Sequence, residues 1–191
     1  MANEIRIDDL RTPVLNDMQR MGLDYGETVH TELSVDAVCA AAVTQTGLDD
    51  FGPDDFRERL ELQLDEMNAD PERTGLGRMM MFGDCVRYAS NRLRIRELLK
   101  QHPEILDIPI EKPVIVIGLP RSGTTNLVNL LAADSRFRSM PLWESYEPVP
   151  DPREETSADG VDPRWTRCQG QWEAMQAGAP FIAAITGTRK P

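Results

Sequence analysis

Between residues 34 and 101 apolar side chains return every three or four positions, and the rhythm stops only where the chain can turn. Val35, Val38, Cys39, Ala42 and Val43 share one helical face; Ser34 before them is an N-cap residue and Gly47 after them a left-handed stop. A second helix is expected from Pro53, with Asp54 and Asp55 in the first turn, where the helix dipole favours negative charge. Phe56, Leu60, Leu64 and Met67 form its apolar stripe, and residues 68–71 end it. Residues 74–101 read as one long helix, or as two with a break near Gly83, and His102-Pro103 is the stop. Met79, Met80, Met81 and Phe82 are assigned to helix packing, because methionine fills irregular gaps. Arg87, Arg92, Arg94 and Arg96 are assigned to exposed faces that offset the acidic second helix. The first 33 residues are polar and mixed, with one short helix expected over residues 14–21.

The pattern changes after residue 110. Residues 114–117, Val-Ile-Val-Ile, are β-branched without alternation, as in a strand buried on both faces of a parallel sheet. Gly118 and Pro120 break the run, Gly123 permits a tight turn, and Leu127, Leu130 and Leu131 follow at helical spacing. A short strand or extended loop is expected over residues 137–140, then a proline-rich loop over 147–163. A further helix over 164–177 would carry Trp165, Cys168, Trp172 and Met175. The fold class expected is therefore α/β: a P-loop-like nucleotide-binding core with an incomplete parallel sheet, preceded by an all-helical N-terminal region. Residues 1–110 form the helical lead-in and 111–191 the front of the nucleotide-binding domain.

Strand, glycine-containing loop and helix make a phosphate-binding arrangement, since a helix start offers unpaired N–H groups and a positive dipole end. The loop nearly matches the triphosphatase pattern G-x-x-x-x-G-K-[ST]: Gly118, Gly123 and Thr125 are in place, but Thr124 stands where the lysine belongs. A triphosphatase needs that lysine on the β- and γ-phosphates, which disfavours a nucleotide kinase. The cation here is Arg121, inside the loop, an arrangement suited to a single phosphate or a phosphate bearing a leaving group.

Gly118-Leu119-Pro120-Arg121-Ser122-Gly123-Thr124-Thr125 resembles the 5′-phosphosulfate loop of sulfotransferases that use 3′-phosphoadenylyl sulfate (PAPS), usually P-[KR]-[ST]-G-[ST]-[ST]. Asn91-Arg92-Leu93-Arg94-Ile95, His102-Pro103-Glu104-Ile105 and Pro141-Leu142-Trp143-Glu144 resemble segments of bacterial members, extending the likeness over roughly residues 34–185. The resemblance implies sulfuryl transfer from PAPS to a hydroxyl or amine of a small-molecule acceptor, without a metal. It places Gly118, Pro120, Arg121, Ser122, Gly123, Thr124 and Thr125 on the phosphate, with Arg121 beside the bridging oxygen. Lysine is common at that position; arginine keeps the charge and offers a planar fork. The implied base is Glu144, beside Trp143, which would lower the local polarity and raise the carboxyl pKa; Glu147 competes for the role.

Composition narrows the partners. The net charge of −11 argues against nucleic acid and anionic membrane, so cations for a polyanionic donor must be local, with Arg136 and Arg138 as candidates or as a solvated turn. The three cysteines have no metal-ligand spacing, and Cys39 and Cys85 are expected buried and reduced. No apolar stretch has membrane-span length or the form of a leader, which points to a cytoplasmic protein. Self-association into a homo-oligomer stays open. The family's later strand and helix, which grip the 3′-phosphate, have no counterpart; after Leu131 only residues 181–185 form another apolar run. This leads to the expectation of a C-terminally truncated sulfotransferase with impaired activity, or of a non-catalytic remnant or anion-binding module.

Overall fold

Asn16, Ser34 and Thr74 each start a helix of the lead-in with a side chain that answers an orphan N–H group of the first turn. In this computed structural model, which describes residues 11–120, 122–156 and 159–179, helix α1 spans Asp17–Thr28, and Asn16 closes a reciprocal capping box with Gln19. Helix α2, Val35–Thr46, is capped by Ser34, whose hydroxyl accepts the Ala37 N–H at 3.1 Å, and ends at Gly47 with φ +73°. Helix α3 spans Asp55–Asn68 and α4 Gly75–Gln101, the latter continuous through Gly83 and capped by Thr74. Pro103–Asp107 follow as a 3-10 turn. Helix α1 lies three residues later than the sequence pattern suggested, because the Asn16–Gln19 box sets its start.

The core is built where α2, α3 and α4 meet, from Val38, Ala42, Leu64 and Leu93 with Leu33, Phe51, Met67, Cys85 and Ala89. Met81 and Phe82 pack against it as expected, whereas Met80 points outward. Helix α1 reaches the start of α4 at a glycine pair: a Cβ on Gly26 would strike the Leu76 and Gly75 backbone, and one on Gly75 the Gly26 carbonyl. Only hydrogen fits between these backbones. Arg92 donates to the Phe51 and Pro53 carbonyls at 2.6 and 2.8 Å, tying the loop before α3 to α4.

The sheet expected after residue 110 is absent among the described residues, which contain no strand. Val114, Ile115 and Ile117 belong to no regular element, and Ile117 keeps 89% of its surface exposed. Residues 137–140 likewise form no strand. The physical reason is that β-branched residues favour extended backbone, but a strand exists only through hydrogen bonds to a neighbour, and no described segment supplies one. The described chain is therefore helical rather than α/β. Residues 181–185, the remaining apolar run, lie outside the described residues.

Helix α5, Thr124–Ala132, follows the 114–117 segment and buries none of its residues. Helix α6, Leu142–Tyr146, packs on α7, Pro163–Gly178, whose Cys168 and Trp172 are buried. Asp162 caps α7 by accepting the Arg164 N–H at 2.9 Å. Asn91 of α4 donates to the Tyr146 carbonyl at 2.7 Å, which fastens α6 to the lead-in.

Candidate functional site

The glycines of the 118–125 loop are where the sequence places them and do what their positions require. Gly123 has φ +91°, a left-handed conformation that residues with a Cβ rarely adopt, and from it α5 starts. Gly118 lies under the turn: a Cβ there would stand 2.7 Å from both the Ser122 hydroxyl and the Thr124 methyl. The turn is closed by Ser122, whose N–H and hydroxyl both donate to the Leu119 carbonyl, at 3.1 and 2.6 Å. No described side chain caps α5, so among the described residues the N–H groups of Thr124 and Thr125 start the helix without an acceptor. Pro120 lies within this turn; Arg121 lies outside the described residues.

Glu144 sits in the first turn of α6 and accepts a hydrogen bond from Arg138 at 2.8 Å; its side chain is 22% exposed, against 77% for Arg138. The Arg164 guanidinium lies 4.7 Å from the Trp143 ring. Glu147, the competitor, is taken up structurally: Arg167 holds both of its oxygens, at 2.8 and 2.5 Å, and Arg94 approaches at 3.8 Å. Arg136 is engaged by Asp134 at 2.5 Å, leaving the solvated-turn reading for that residue. Among the described residues no hydrogen bond joins the 118–125 loop to α6.

One further site escaped the sequence reading. A cleft of about 790 Å³ opens between the middle of α4, the end of α6, the proline-rich loop and α7. Arg94 points into it, only 10% exposed, and meets Asp151 at 3.0 Å. Asp151 also accepts from Arg153 at 2.6 Å, and that bond, with the backbone N–H and Arg94, holds its carboxyl far below the usual range. Arg167 bridges Glu147 and Glu154, and these partners push its guanidinium pKa up. Arg94 is thus a buried ion-pair member, not part of an exposed offsetting face; its partners are 53 and 57 residues away, beyond any local pattern. Arg87 is flanked by the rings of Tyr88 and Tyr146, at 4.5 and 4.4 Å.

All three cysteines are buried, and burial raises each thiol pKa, which keeps them protonated and unreactive. Among the described residues no cluster suited to a metal ion occurs, and no helix is long and apolar enough to cross a membrane.

Residues 113–187, which include the 114–117 segment, the loop, α5 and Glu144, match the family described as Sulfotransferase family. The chain also resembles two solved structures of the same description, each at 32% identity and TM-score 0.65. Sulfotransferase STF1 from Mycobacterium tuberculosis H37Rv aligns with 79% of this chain, and STF9 from Mycobacterium avium with 80%. The chain is a sulfotransferase-family protein. This sulfotransferase-family chain spans 42% of the length of the first structure and 38% of the second. No curated protein matches it.

Proposed function

We propose that this chain carries the donor-phosphate loop of a sulfotransferase that moves a sulfuryl group from PAPS to a hydroxyl or amine of a small-molecule acceptor. The observation that supports it most is the uncapped start of α5 behind Gly118 and Gly123, where a Cβ on Gly118 would crowd Ser122 and Thr124, Gly123 takes a left-handed turn, and the first-turn N–H groups have no described acceptor. That geometry fits a phosphate group. PAPS, when bound, supplies the activated sulfuryl group. The N–H groups of Ser122, Gly123, Thr124 and Thr125, with the threonine hydroxyls, hold the 5′-phosphate, and Arg121 stabilises charge on the leaving oxygen. Positioning and charge stabilisation carry most of such a transfer. Glu144 accepts the acceptor's proton after its pairing with Arg138 is exchanged for the acceptor.

Calorimetric titration of residues 1–191 with 3′,5′-ADP tests this, with 5′-AMP and Arg121→Ala as controls. Binding that prefers the 3′-phosphate and vanishes in the variant supports the reading. Equal binding of both nucleotides leaves an anion-binding module without donor recognition, and no binding by the folded protein overturns both.

A further inference from the structure

The cleft beside α4 has a composition that selects its ligand. Its walls carry four arginines and four carboxylates, so its formal charge is zero in a chain of net charge −11. Each arginine is already paired: Arg94 and Arg153 with Asp151, Arg167 with Glu147 and Glu154, and Arg87 with Asp84 at 3.0 Å. An anionic or cationic ligand would compete with these existing pairs, at a large cost where Arg94 and Asp151 are nearly buried. A neutral ligand would not.

The uncharged wall supplies donors and acceptors instead. Ser90 donates to the Gln45 side-chain oxygen at 3.1 Å, which leaves the Gln45 amide nitrogen open. Asn91 spends its nitrogen on the Tyr146 carbonyl, which leaves its side-chain oxygen open as an acceptor. The Gln171 amide on α7 is met by no described group. Between these polar points lie a flat surface, the Arg87 guanidinium stacked on Tyr146, and the bare backbone of Gly83, beside which a Cβ would meet nothing within 4 Å. Alternating donors and acceptors with flat faces between them match a ring bearing hydroxyl groups on its rim. The cleft volume lies inside the about 300–1,000 Å³ of small-molecule sites.

We infer that this cleft binds a neutral polyhydroxylated compound of the size of a mono- or disaccharide. Its role as the sulfuryl acceptor rests on the function proposed above, since α6 carries both Tyr146 in the cleft wall and Glu144; the binding itself does not. The test is titration of residues 1–191, without nucleotide, with maltose, cellobiose and myo-inositol as neutral probes and glucuronate and glucosamine as charged ones, read by ligand-observed NMR. Saturable binding of at least one neutral probe, tighter by about threefold or more than both charged probes, is expected. Gly83→Phe, which places a ring in the cleft, should weaken that binding at least about tenfold with the circular dichroism melt retained. If Gly83→Phe does not fold, Gln171→Trp on the exposed side of α7 makes the same block. No saturable binding of any neutral probe, preference for a charged one, or binding indifferent to the blocking variant overturns the inference. Because 3′,5′-ADP binding is measured separately, failure here and failure of the transferase reading are distinguishable.

Discussion

Arg94 of α4 and Asp151 of the proline-rich loop meet at 3.0 Å with 10% and 6% of their side chains exposed. This contact joins the lead-in helices to the segment that matches the sulfotransferase family. Arg94→Met removes one of two guanidinium partners of a nearly buried carboxylate and leaves Arg153 in place, so it should lower unfolding free energy by about 1.5–3 kcal/mol, the range of a hydrogen bond to a charged group. Urea unfolding followed by circular dichroism measures this, and a change within about 0.5 kcal/mol would mean that water already solvates the pair.

The same carboxylate makes stability depend on acid. Asp151 is held below its unfolded value, chiefly by the Arg153 hydrogen bond, so the folded state keeps it ionised where the unfolded chain takes up a proton. Its contribution is complete above the unfolded pKa of about 4 and is lost progressively as pH falls below it. Melting temperatures from pH 6 to pH 2.5 should therefore drop more steeply for the natural protein than for Asp151→Asn. Parallel curves would remove Asp151 as the cause.

Two glycines predict opposite outcomes. Gly26→Ala drives a methyl into the Leu76 backbone and should destabilise the fold by about 2 kcal/mol or more. Gly83→Ala adds a methyl to open space inside α4 and should stabilise it by about 0.5–1 kcal/mol. Thermal melts of the two variants side by side decide the matter.

Gly118→Ala should leave the melt nearly unchanged, because the loop and α5 bury little, yet weaken 3′,5′-ADP binding at least about tenfold by disturbing Ser122 and Thr124. Calorimetry on a variant with native circular dichroism is the check.

On the transferase reading proposed above, Glu144→Gln in a complete enzyme should reduce sulfuryl transfer by about 100-fold or more while nucleotide affinity stays unchanged. Transfer at the natural rate would remove Glu144 as the base and leave its bond to Arg138 a structural one.

The helices were legible because their signals are local. Ser34 reaches Ala37, Gly47 supplies a left-handed stop, and the stripes of α2 and α3 lie within single turns of one another. The turn of the 118–125 loop was legible for the same reason, since Gly118 crowds atoms within six residues and Gly123 supplies the positive φ. Residues 114–117 misled because valine and isoleucine encode a preference for extension and say nothing of a pairing partner. Arg94 misled because charge alone implies exposure, and only the loop returning 57 residues later encloses it.

Helix α4 threads the core, contacts α1 at the glycine pair and walls the cleft, while α5 buries nothing. The two helices should consequently belong to different cooperative units in amide hydrogen exchange. The central amides of α4 would open only with the whole bundle, and those of α5 by a far cheaper local event. An anion seated on Thr124 and Thr125 would then announce itself as slowed exchange along α5, with α4 unchanged, a readout of occupancy that requires no turnover.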